Sequence, residues 1–148
     1  MPTLKEILGK KIDEMRPRTT RLIKEFGDTK VCDVTIAQVI GGMRGIKSLV
    51  TDISYLDPNE GIRFRGFTIP EAMEKLPKPA GVEMPYVEGH FYLLLTGEVP
   101  TAEQVQDVVA EFKKRKHVPQ YVYDVLRAMP RDTHPMTMFA AAVLAMQR

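Results

Sequence analysis

At Thr3–Glu6, Thr68–Glu71 and Thr101–Gln104 a threonine precedes Glu or Gln by three residues, and apolar residues then recur at helical spacing. In such a capping box the hydroxyl accepts from an amide in the first helical turn. The acidic or amide side chain reaches back to the cap residue's own N–H, so a helix start is fixed locally. Stops are marked as firmly, by Pro77 and Pro79, by Gly97 and by Pro130, because proline cannot continue a helix and glycine suits the left-handed cap. A chain started and stopped this often folds into many short helices rather than one long coil or one extended sheet.

The first helix is expected to begin at Leu4 and to carry Leu4, Ile7, Leu8, Ile12 and Met15 on one face. Pro17 interrupts this stripe and Leu22, Ile23 and Phe26 resume it before Gly27, so a kinked or split helix ending near Phe26 is expected. A second follows the Thr68 box through Ala72, Met73 and Leu76, and HFYLLLTG forms a third that Gly97 closes. After Thr101, Val105, Val108, Val109 and Phe112 make a buried stripe. Pro119 opens a helix carrying Val122, Val125, Leu126 and Met129. The last helix starts near Pro135 and is expected to run to the final residue, since MTMFAAAVLAMQR contains no stop. Such an apolar circumference belongs in a bundle or an interface.

Between about residues 31 and 68 the character changes. VCDVTI, SLVTDISYL and IRFRGFT are rich in β-formers and punctuated by GG, DPNEG and RG, so a few short strands are expected there. Alternation along Ile62, Arg63, Phe64 and Arg65 places both guanidiniums on one face, toward solvent or a site. The fold class is therefore mainly α with a small β element.

With 148 residues, 44% hydrophobic and 27% charged, the chain has the make-up of one soluble globular domain. Its 21 basic and 19 acidic residues leave +2, too little for a field that would gather nucleic acid or anionic lipid. No apolar run approaches the roughly 18 residues of a membrane span. Glu6, Asp13 and Glu14 near the start argue against a signal or transit peptide. A single cysteine excludes an internal disulfide, and three scattered histidines form no metal-ligand cluster, which points to a reducing compartment and no structural metal.

Few residues carry chemistry. Ser48 and Ser54 lack a nucleophile-elbow context, and Cys32, in an apolar β-rich run, is expected to be a buried, inert thiol. His90 and His117 look like helix-edge residues, and His134, before Pro135 at a helix start, is expected to be structural. The run Lys113, Lys114, Arg115, Lys116 has the form of a nucleic-acid patch. It also falls in the last turn of a helix, where cations suit the dipole, and no aromatic or glycine-rich partner accompanies it. The best anion candidate is GGMRGIK, Gly41 to Lys47: glycines let backbone amides approach a ligand while Arg44 and Lys47 add charge. An ordinary glycine-rich turn between strands explains the same residues equally well.

The order GGMRGIKSLVTDISYLDPNEGIRFRGFTIPE, then EGHFYLLLTGEVPT, then THPM before an Ala-rich helix resembles the first part of citrate synthase, of the mitochondrial, dimeric type. The resemblance covers Leu4 to Arg148 and implies that residues 1–148 are an N-terminal portion of that family's helical large domain. It implies condensation of acetyl-CoA with oxaloacetate and water to citrate and CoA by a homodimer. No tightly bound cofactor or metal, nucleic acid or membrane is implied. The histidine, histidine and aspartate that carry the family's chemistry match nothing here, so no catalytic residue is expected in these 148 residues. One contact does carry over: the arginine of GGMRG, which reaches a CoA phosphate in the family, corresponds to Arg44. The Ala-rich helix after HPM corresponds to the dimer interface. Met1 directly before PTLKEIL suggests a bacterial cytoplasmic chain, with a mitochondrial matrix protein as the alternative, and a non-catalytic helical interaction or dimerisation module is the alternative to an enzyme segment.

Overall fold

The computed structural model describes residues 2–46 and 50–147. In chain order these form α1 (Leu4–Phe26), α2 (Ile36–Ile40), β1 (Ser54–Asp57), β2 (Gly61–Phe64), β3 (Phe67–Thr68), α3 (Ile69–Lys75), α4 (Val87–Thr96), α5 (Ala102–Arg115), α6 (Gln120–Ala128) and α7 (Pro135–Ala145). The mainly helical class with a minor sheet is what the capping pattern demands. The chain divides into two compact units after Val109, within α5.

The three expected capping boxes are formed. Thr3 Oγ1 accepts from Glu6 N, Thr68 Oγ1 from Glu71 N and Thr101 Oγ1 from Gln104 N, while each partner side chain accepts from the threonine amide at 2.8 Å. Gly97 ends α4 at φ 77°, a conformation that penalises any side chain, and its N–H donates to Leu93 O. His134 caps α7, its Nδ1 accepting from Met136 N, which is the structural role expected of it.

Three expectations change. Of the kinked or split alternatives for the first helix, the split one is not formed: α1 runs through Pro17 to Phe26 as one helix. The missing proline donor costs one ladder bond, while Thr19 and Thr20 hydroxyls donate to the carbonyls of Met15 and Arg16 in the same turn. VCDVTI contains no strand: Thr35 caps α2 through a fourth box with Gln38, and this local closure overrides the β-branched run. Among the described residues the strands are confined to 54–68, paired antiparallel in the order β1-β2-β3, with Tyr55 opposite Arg63 and Phe64 opposite Phe67. The final helix ends at Ala145, not at the last residue, with Met146 as its C-cap.

The first unit is centred on α3 and α4. Ala72, Leu76 and Leu93 form its buried cluster, with Phe67 of the sheet packed against it. Gly89 of α4 marks a close approach, since a Cβ there would meet Val105 Cγ2 of α5 at 3.4 Å. Val105 and Val108 are buried as the stripe predicts, but Phe112 is exposed. Lys11 of α1 pairs with Glu98 just beyond α4 at 2.6 Å. Most of the remaining α1 stripe, from Ile12 through Phe26, is exposed. In the second unit, α6 and α7 pack together and Val122 is buried. No helix among the described residues is long and apolar enough to cross a membrane.

Candidate functional site

The GGMRG loop leaves the C-terminus of α2 instead of joining two strands. Its first amides are spent internally: Gly41 N–H donates to Ala37 O, Gly42 N–H to Val39 O and Met43 N–H to Gln38 O at 2.8 Å. Gly42 at φ 77° and Met43 at φ 64° then turn the backbone back through the left-handed region. Gly45 repeats it at φ 75°, and Ile46 N–H closes on Met43 O. Gln38 anchors both ends of this small structure, since its side chain completes the Thr35 box while its carbonyl takes the Met43 amide.

Between these closures lies Arg44. Its backbone N–H and that of Gly45 find no acceptor among the described residues, and its exposed guanidinium has no ion-pair or hydrogen-bond partner among them. A free cation beside two unspent amides is the arrangement that holds a phosphate oxygen. Lys47 and Ser48, the other residues singled out in this stretch, lie outside the described residues.

The two sheet arginines do different work from Arg44. Arg63 grips Glu60 through Nε and Nη2 and donates from Nη1 to Gly66 O, so it closes the β2–β3 turn. Glu60 beside it raises its pKa further. Arg65 lies just past the strand, at φ 49°, and is 14% exposed in its side chain. It donates to Leu94 O at 2.9 and 2.7 Å and to Leu95 O at 3.3 Å, and pairs with Asp52 at 2.7 Å. Neither guanidinium is held ready for a ligand: one locks a turn and the other caps the C-terminal carbonyls of α4.

Cys32 is exposed, contrary to the buried thiol expected, and the run that contains it forms no strand to turn it into a core. His90 stacks edge-on against Phe64 with ring centroids 4.6 Å apart, and its ring borders an apolar recess of about 240 Å³ with Ile69, Met73 and Met84. Burial pushes the Tyr92 phenol up, aided by Glu98. No group of three or more His, Cys, Asp and Glu among the described residues could hold a metal ion.

Comparison with known proteins adds a family. The family model described as "Citrate synthase, C-terminal domain" matches residues 42–148. The chain is 46% identical over 143 residues to a protein named mitochondrial citrate synthase from Xiphias gladius, covering 97% of this chain and 30% of that one. It is 46% identical over 145 residues to the mitochondrial citrate synthase of Saccharomyces cerevisiae, covering 98% and 30%. With that of Neurospora crassa it shares 48% over 145 residues, covering 98% and 31%. The chain thus spans about a third of the length of these relatives. All three relatives are named as mitochondrial, which overturns the expectation of a bacterial cytoplasmic chain.

Proposed function

Because the chain belongs to the citrate synthase family, we propose that it is a segment of an enzyme condensing acetyl-CoA with oxaloacetate and water to citrate and CoA in the mitochondrial matrix. Within that enzyme residues 1–148 supply scaffold, a subunit surface and one contact to CoA. The motif order is that of the family's opening third, while the matching family model carries the description of a C-terminal domain. Residues 42–148 as the opening stretch of the domain that model describes reconciles the two.

The observation that carries this reading is Arg44, exposed and, among the described residues, without a partner beside two unspent amides. It binds a CoA phosphate and takes no part in proton transfer, which belongs to residues outside this segment. CoA enters as substrate and product, with no tightly bound cofactor. On α7, Met136, Phe139 and Leu144 stand exposed, Leu144 at 71%, and this apolar face supports a homodimer.

In the full-length enzyme that carries this segment, Arg44→Ala loses one charge-assisted contact of about 1.5–3 kcal/mol, a roughly ten- to hundred-fold rise in the acetyl-CoA KM. The kcat and oxaloacetate KM change little, as expected when binding is lost equally from ground and transition states. An arginine that merely held its loop would lower the thermal midpoint and leave KM alone. An unchanged acetyl-CoA KM overturns the assignment.

A further inference from the structure

The basic run at the end of α5 is split by the structure into two pairs with different fates. Lys114 Nζ lies 2.6 Å from Glu111 Oε1, and Arg115 Nε 3.4 Å from Glu111 Oε2, so these two cations share one carboxylate. That carboxyl is held below its usual range by Lys114 first and Arg115 second. Lys113 and Lys116 have no ion-pair partner among the described residues. Both instead line a recess of about 410 Å³ together with His117, Val118, Gln120 and Tyr123, where the chain turns from α5 into α6. The other acidic group near this turn, Asp124, is engaged by Arg127 Nη1 at 3.2 Å and Gln120 Nε2 at 3.1 Å. Each nearby carboxylate is therefore matched to a cation that is not in the recess. The lining thus combines two lysines without an ion-pair partner among the described residues with a histidine, a glutamine, a tyrosine and Val118.

We propose that this recess is a binding site for a small phosphate-bearing anion. Its volume is within the roughly 300–1,000 Å³ of small-molecule sites, and its lysines act as point charges on a multiply charged oxyanion. The site shares no residue with the Arg44 loop and does not depend on the assignment made there. Exposure of the lining keeps it in high dielectric, so binding is weak and salt-sensitive.

Inorganic pyrophosphate is the probe, titrated into the full chain while the imidazole carbon-bound proton signals are followed by NMR. His117 shifts and saturates at low-millimolar ligand, while His90 and His134 stay in place. Lys113→Ala with Lys116→Ala weakens this binding by about tenfold or more. Lys114→Ala with Arg115→Ala removes the same charge from the Glu111-paired side and changes it by less than about twofold. Circular dichroism melts check both pairs for folding, and Gln replaces Ala if the first pair melts early. Arg44→Ala leaves the His117 titration unaltered, which keeps this site distinguishable from the CoA contact. No saturable His117 shift, or equal weakening by the two charge-matched pairs, overturns the proposal.

Discussion

Arg65→Ala removes a side chain that reaches from the end of β2 to the last carbonyls of α4. In the native protein that guanidinium donates twice to Leu94 O and once to Leu95 O while pairing with Asp52. The carbonyl contacts dominate, because Asp52 is 78% exposed in its side chain and its ion pair is therefore screened. An ion pair so exposed contributes about 0–1 kcal/mol. A charged donor to part-buried carbonyls contributes about 1.5–3 kcal/mol, and a cation at a helix C-terminus about 0.3–1 kcal/mol of overlapping stabilisation. Since these contributions share one group they do not add, and the expected loss for Arg65→Ala is about 2–3 kcal/mol. The backbone provides an internal control. Residue 65 sits at φ 49°, where any side chain is strained by about 1–2 kcal/mol and glycine is not. Arg65→Gly should accordingly be less damaging than Arg65→Ala by about 1 kcal/mol after glycine's larger unfolded-state entropy is counted. Asp52→Asn, which touches only the screened pair, should cost under about 1 kcal/mol. Urea unfolding of all three variants, followed by far-UV circular dichroism, checks the order. An Arg65→Ala protein within about 0.5 kcal/mol of the parent would refute the clasp, and an Arg65→Gly protein less stable than Arg65→Ala would refute the strain argument.

Leu93→Ala opens a void at a site with 0% exposure, and the same unfolding measurement should show a loss of about 2–5 kcal/mol. Glu71 has its pKa lowered first by the Thr68 amide, then by the Thr68 hydroxyl and by Arg63 and Lys75. Its stabilisation is therefore present above the unfolded carboxyl pKa and lost as pH falls through the folded value. The advantage of the native protein over Glu71→Gln should shrink on acidification from about pH 5 to pH 3, and a pH-independent difference would count against the charged capping box. Cys32, exposed in a segment that forms no strand, should react with Ellman reagent in the native state at nearly the rate seen in denaturant, whereas strong protection would restore the buried thiol.

The parts of this fold legible in the sequence are those whose causes lie within one helical turn. Thr3, Thr68 and Thr101 close on residues three positions away, Gly97 accepts a φ that only glycine takes without strain, and His134 bonds an amide two residues on. Thr35 and Gln38 carry the same signal, overlooked because β-branched neighbours suggested a strand, and with it went the expectation for Cys32. The turn around Arg44 was legible for a similar reason, since glycines on both sides mark a backbone turn whatever the rest of the chain does. Tertiary structure decided what depends on distant partners. Alternation could place Arg63 and Arg65 on a face, but only folding brings Leu94, 29 residues away, under the Arg65 guanidinium. Spacing named the apolar stripes of α1 and α5 alike, yet Val105 is buried and Phe26 is not, because burial is a property of what lies opposite. The basic run reads as four equivalent charges in sequence, and it is the positions of Glu111 and Asp124 in space that leave Lys113 and Lys116 unmatched among the described residues.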